Sequence, residues 1–194
     1  VLLEAVCMGA ERGYLISHRC FAGADVCATS HTLSQGIRQS GTYDLILCGK
    51  QTTDGDTAQV GAETAEFLGI AHGANILEVL ETGDTFVTVR MNLENKIQTQ
   101  KMELPCLLTV DKDVNTPRLP SYKRRIGMDL GCIKVMGLDD LEDRDPGHYG
   151  LKGSPTQVER IFPPDKKTDK EIMEGTGREL AQAMAAVLRK HKFI

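Results

Sequence analysis

The spacing of apolar positions changes along the chain, and each change marks an element. Leu2, Leu3, Val6, Cys7 and Ala10 fall at helical spacing and stop near Gly9 and Gly13, which predicts a helix at the start. Tyr14-Leu15-Ile16-Ser17 reads as a buried strand, Ala22-Gly23-Ala24-Asp25 as a loop of small residues, and residues 26–39 as a helix. Leu45-Ile46-Leu47-Cys48 is apolar without alternation, the pattern of a strand covered on both faces of a parallel sheet. It is expected centrally, joined to the first strand in a right-handed parallel β-α-β unit. Gly49 ends it and a polar loop follows. Residues 59–68 then return to helical spacing at Val60, Ala65 and Leu68, with Gly69 as the stop.

From Ala74 the period becomes two. Residues 76–80, 86–91 (Val87, Val89 and Met91 alternating) and 97–104 predict strands joined by turns at Thr82-Gly83-Asp84 and Glu94-Asn95-Lys96, an antiparallel segment after the parallel one. Leu107-Leu108-Thr109-Val110 is a further buried strand, ending in Asp111 and Lys112 at the edge of the sheet where ligands bind. Past Asn115 the core signal stops. Pro117, Pro120 and Lys123-Arg124-Arg125 read as an exposed connection, residues 126–135 as a short helix or strand, and the acidic run 139–145 as a loose stretch. Pro155 and Pro163-Pro164 stiffen an extended lead-in to an amphipathic helix over residues 169–191, with Ile172, Met173, Leu180, Met184, Val187 and Leu188 on its apolar face. The expected organisation is an α/β core over 1–125, a connecting segment over 126–152 and a C-terminal arm with its helix over 153–194.

Composition narrows the function classes. The chain has 194 residues with 27 acidic against 23 basic and no tryptophan, so it offers neither the charge nor the stacking surface of a nucleic-acid binder. No apolar run approaches the ~18 residues of a membrane span. Six scattered cysteines without a C-x-x-C spacing read as reduced, which fits the cytoplasm. His18 and Cys20 alone do not make a metal site, and none is expected. No arrangement of nucleophile, base and orienting group stands out, so no catalytic residue is assigned.

The candidate chemistry lies in residues 49–61. A loop leaving a parallel strand and entering a helix presents free N–H groups to an anion. It is no Walker motif, because Asp44 stands where the upstream glycine belongs and Gln51 takes the hydroxyl position. Only Gly55 and Gly61 punctuate the helix start, so the dinucleotide fingerprint is missing as well. The spacing alone leaves two readings open: a phosphate-facing loop, or a plain helix start capped by Asp54 or Asp56.

Lys50-Gln51 followed by Asp54-Gly55-Asp56-Thr57-Ala58-Gln59-Val60-Gly61 resembles the adenine-nucleotide loop of electron transfer flavoprotein β subunits, in the form seen in electron-bifurcating members. Ala22-Gly23-Ala24-Asp25 with Ala28-Thr29-Ser30, Leu104-Pro105-Cys106-Leu107-Leu108-Thr109, Asn115-Thr116-Pro117-Arg118 and Gly153-Ser154-Pro155-Thr156-Gln157-Val158 resemble family segments in the family's order, over nearly the whole chain. The resemblance implies an open, mainly parallel, adenine-nucleotide-binding sheet with an antiparallel hairpin segment and a C-terminal arm ending in a helix. It implies that Gly49 and Asp54 to Gly61 hold AMP or a second FAD. Glycine at Gly55 and Gly61 is expected to permit close approach, and a bulky β-branched residue in place of Gly61 is expected to release the nucleotide and leave the fold intact. The resemblance further implies an α subunit gripped by the arm through Leu180 and Met184, and a partner dehydrogenase met by Leu119 or Tyr122. In the family a βαβ segment precedes the first strand and helps to hold the nucleotide, so the pocket built by these residues is expected to be incomplete. The implied function is electron passage between dehydrogenases and acceptors, with flavin-based bifurcation as its special form. The alternative is a nucleotide-binding regulatory or scaffold module that carries no electrons.

Overall fold

A computed structural model describes residues 1–163 and 172–193. The chain divides into a unit Val1–Gln157 and a unit Val158–Ile194. In the first, α1 (Leu2–Met8) leads to β1 (Gly13–Ile16), and α2 (Val26–Ser40) starts at Asp25, whose carboxylate accepts the Ala28 N–H at 3.0 Å as an N-cap. There follow β2 (Leu45–Gly49), α3 (Val60–Leu68), β3 (Ala71–Thr82), β4 (Phe86–Asn92), β5 (Ile97–Glu103) and β6 (Cys106–Val110). Gly69 ends α3 in the left-handed conformation, φ 71°, that a residue without Cβ takes at least cost. The short helix α4 (Tyr122–Ile126), β7 (Ile133–Met136) and the single turn α5 (Gly150–Gly153) complete the unit.

The main sheet has the order β2-β6-β3-β4-β5. β2, β6 and β3 are parallel, and β3-β4-β5 is an antiparallel meander. Strand β4 alternates as expected, turning Val87, Val89 and Met91 into a core with Ile76, Met102, Cys106 and Leu108. Each such side chain contributes roughly 1.5–3 kcal/mol by leaving water.

Two topological expectations change. The run Leu45–Cys48 forms an edge strand, and Leu47 is 60% exposed. The central parallel strand is β6, where Cys106 to Thr109 are all buried between β2 and β3. Both runs are short and apolar, so local pattern cannot rank them; position in the ladder does. Nor does β1 share a sheet with β2. It pairs in parallel with β7, Gly13 opposite Ile133 through Ile16 opposite Met136, because tertiary packing rather than chain order chooses a strand's neighbour.

Residues 126–152 are thereby built into the first unit. The acidic run within them is tied down, contrary to expectation: Leu141 and Tyr149 are buried, Asp143 N–H donates to Gln35 Oε1 at 3.1 Å, and the Tyr149 hydroxyl donates to the Asp143 carbonyl. Its charge hid the fixed apolar and aromatic positions beside it.

In the second unit α6 runs over Gly177–Lys190. Thr176 N–H and Oγ1 both donate to Glu179 Oε2 at 2.8 Å, and this capping box sets the start of the helix. Ile172 and Met173 therefore precede the helix, a correction to the expected 169–191 span, because Gly175 at φ 152° and the Thr176 cap break the helical path. Pro164 and the expected first turn at 169–171 lie outside the described residues.

Candidate functional site

The loop leaves the carboxyl end of edge strand β2 next to that of β6. Lys50 N–H donates to the Val110 carbonyl at 3.1 Å, and Lys50 Nζ lies 3.6 Å from Asp111 Oδ2, so the two strand ends are clamped together. Between them opens a cleft of about 640 Å³ lined by Gly49, Lys50, Gln51, Thr53, Asp111 and Lys112. This is where parallel α/β sheets bind ligands.

Residues 51–59 are all exposed, and the loop keeps its shape through its own hydrogen bonds. Gln51 Nε2 donates to Asp56 Oδ1 at 2.5 Å, Gly55 N–H donates to Asp54 Oδ1 at 2.8 Å, and Asp56 N–H donates to the Thr52 carbonyl at 3.2 Å. Bonds from the Thr52 hydroxyl and the Gly55 N–H hold the Asp54 carboxyl below its usual range, so it is anionic at neutral pH. Neither aspartate caps α3. The N-cap residue is Gln59, no side chain accepts from the first turn, and the capping reading falls away. Asp56 and Ala58 are non-glycine residues held left-handed, at φ 52° and 56°, a conformation that costs of order 1–3 kcal/mol. Glu63 Oε2, in the first turn of α3, is a buried acceptor without a hydrogen-bond partner among the described residues.

The two glycines differ from expectation. A Cβ on Gly55 would meet nothing closer than Thr52 Oγ1 at 3.9 Å, whereas one on Gly61 would lie 2.3 Å from Thr109 Cγ2. Gly61 is small so that α3 can lie on β6, and a β-branched residue there would disturb the fold, contrary to the expectation that it is replaceable.

Residues 1–128 match the electron transfer flavoprotein domain. The chain belongs to the electron transfer flavoprotein family. It is 37% identical over its whole length to the electron transfer flavoprotein subunit beta of Clostridium acetobutylicum, covering 73% of that protein. It is 39% identical to the subunit beta of Thermoanaerobacterium thermosaccharolyticum, and 36% identical to the caffeyl-CoA reductase-Etf complex subunit CarD of Acetobacterium woodii, each match spanning this whole chain and 74% of the relative. The family places the chain in flavin-linked electron transfer, and no helix among the described residues is long and apolar enough to cross a membrane.

The expected contact residues stand apart from the cleft in sequence and in element. Leu119 is 88% exposed ahead of α4, and Tyr122 begins it with 77% exposure. On α6, Met184 is exposed and Leu180 half-buried.

Sequence reading missed one cluster. His31 Nε2 on α2 lies 3.1 Å from Asp143 Oδ2, and His148 Nδ1 lies 2.7 Å from the same oxygen. Burial pushes the Asp143 carboxyl up, but bonds from Asp145 N–H, His148 and His31 outweigh it and hold the group below its usual range; Asp143 in turn raises His148. Burial, with the charge of Asp143, pushes Tyr149 up to about 12, so its hydroxyl remains a donor. His31 and Asp143 are 112 positions apart, and no local signal could have joined them.

Proposed function

We propose that the chain serves as the β subunit of an electron transfer flavoprotein, with Gly49 and Asp54 to Gly61 holding the adenine nucleotide of AMP or of a second FAD. The observation that carries this is the uncapped start of α3 beneath two left-handed non-glycine residues, beside the cleft at the ends of β2 and β6. Backbone N–H groups of the loop and first turn of α3 would take the phosphates, and Lys50 would add a cation already half-balanced by Asp111. Asp54 and Asp56 each turn one oxygen, Oδ1, into the loop's own hydrogen bonds, which would aim their carboxylates away from the phosphates. Glu63 Oε2 supplies an acceptor suited to a hydroxyl rather than to an anion.

Bound flavin supplies the redox chemistry, and the protein supplies position and electrostatics. The Asp54-Gly55-Asp56-Thr57-Ala58-Gln59-Val60-Gly61 form favours FAD over AMP and hence bifurcation. Leu180 and Met184 would face the α subunit, and Leu119 and Tyr122 a partner dehydrogenase; a relative named as part of a caffeyl-CoA reductase-Etf complex supports a partner of that class. Six free cysteines fit a cytoplasmic setting.

The test is the nucleotide content of this chain co-purified with its α subunit, by visible absorption and chromatography of the released nucleotides. Two flavins per heterodimer support the bifurcating form, and one flavin with one AMP supports the simple carrier. A folded heterodimer without nucleotide beyond the α subunit's own refutes the loop assignment, and a complex with no flavin at all favours the non-redox module.

A further inference from the structure

We propose that His31, Asp143 and His148 form a site for a divalent transition-metal ion of borderline softness, with Zn²⁺ the best match. Their ligand atoms, Nε2, Oδ2 and Nδ1, all lie within 4.8 Å of one another. Two imidazole nitrogens and one carboxylate oxygen are a zinc-type donor set, whereas Mg²⁺ and Ca²⁺ take all-oxygen sites.

Two ligands are already fixed. His31 is carried by α2 and packs its ring against Tyr149 and Phe67, at centroid distances of 5.1 and 5.3 Å. Asp143 is held by Gln35 and Tyr149 through its backbone, and its Oδ1 accepts the Asp145 N–H at 3.0 Å, so Oδ2 is the oxygen left to face the two rings. His148 sits in the turn Pro146–His148 with its side chain 59% exposed and can move. Metal–ligand lengths of about 2.0–2.2 Å put tetrahedral ligand atoms roughly 3.3 Å apart. The observed 3.1 and 2.7 Å separations from the Asp143 oxygen need a shift of a few tenths of an ångström, while the two nitrogens, within 4.8 Å of each other, have up to roughly 1.5 Å to close, a movement assigned to the exposed His148 ring.

The outer surroundings agree. Asp145 Oδ2 lies 3.9 Å from His148 Nε2, the nitrogen that keeps its proton when Nδ1 binds metal; this is too long for a hydrogen bond as it stands, but near enough for the carboxylate to support the imidazole once the ring turns. Three protein ligands would leave a fourth position for water, and the two histidines border a cavity of about 350 Å³ lined also by Cys27, Phe67 and Lys152. The Lys152 cation opposes the ion, so modest affinity is expected. Binding needs His148 Nδ1 without its proton, so affinity should fall as the pH is lowered.

The experiment is a Co²⁺ titration of the full chain after chelator treatment, followed by visible d–d absorption and by competition with Zn²⁺, with circular dichroism as the control for folding. One Co²⁺ per chain, displaced by Zn²⁺, is expected, and His148→Ala should weaken it on the order of a hundredfold while leaving the fold unchanged. A distant variant, His72→Ala, should bind as the parent does. The proposal is overturned if the folded parent binds no stoichiometric Co²⁺, if His148→Ala binds equally well, or if sulfur-to-cobalt charge-transfer bands show that cysteines hold the ion.

Discussion

Gly61 tests whether the loop's second glycine serves packing or ligand. In Gly61→Ala the new Cβ would stand 2.3 Å from Thr109 Cγ2, more than an ångström inside ordinary contact. Overpacking of this kind costs about 1–3 kcal/mol, and the alanine's gain in a first helical turn is less than the ~1 kcal/mol of a helix interior. The net loss is roughly 1–2 kcal/mol, or about 2–8 °C in Tm for a chain of this size. Thr109→Ser removes the offending methyl yet keeps the hydroxyl that accepts the Asn75 N–H at 3.1 Å, at a cost of about 1 kcal/mol by itself. The double variant places one methyl where another was lost and should melt near the parent, with a coupling of about 2–3 kcal/mol, the sum of the two single losses. Thermal melts of the four proteins decide. A single Gly61→Ala variant as stable as the parent, or a double variant no better than the sum of its parts, would falsify the packing role; nucleotide loss that ignores residue 109 would return Gly61 to the ligand.

Two further predictions follow from other contacts. Burial alone would raise the Asp25 carboxyl, but bonds from Ala28 N–H, Thr156 Oγ1 and N–H, and Ser154 hold it below its ordinary range. A depressed carboxyl stabilises above its unfolded value of about 4 and ceases to as pH falls through the folded one, so Asp25→Asn, which still caps α2, should cost about 1 kcal/mol at pH 7. The gap between the two melting temperatures should close toward pH 3, and one that persists there would show that charge is not what Asp25 contributes. On α6, Leu180→Asp with Met184→Asp should abolish co-purification with the α subunit while residues 1–157 keep their melting transition; a complex that survives the pair would remove α6 from that interface.

The meander and α3 were legible because their signals are local. The alternation of Val87, Val89 and Met91 fixes the inner face of β4, and Gly69 states where α3 must stop. What was not legible depends on distant partners. Leu45–Cys48 and Leu107–Val110 read alike, and only the ladder tells the edge strand from the central one. The pairing of β1 with β7 and the meeting of His31 with Asp143 each join residues more than 100 positions apart, beyond any periodicity. In the loop, sequence located the residues correctly at a strand end and a helix start, but it could not say that Gly61 looks toward Thr109 or that the aspartates bond within the loop.

The position of β2 also sets an order of assembly. The β4–β5 pair closes across a turn of a few residues, whereas Leu45 must find Cys106 roughly sixty residues further along the chain, and closure over longer loops is slower and entropically dearer. The meander can therefore form early, while the strand that launches residues 49–61 docks late. Amide hydrogens of β2 should exchange ahead of those of β4, and the candidate nucleotide loop thus hangs from the part of the sheet whose closure a bound ligand would slow from reopening.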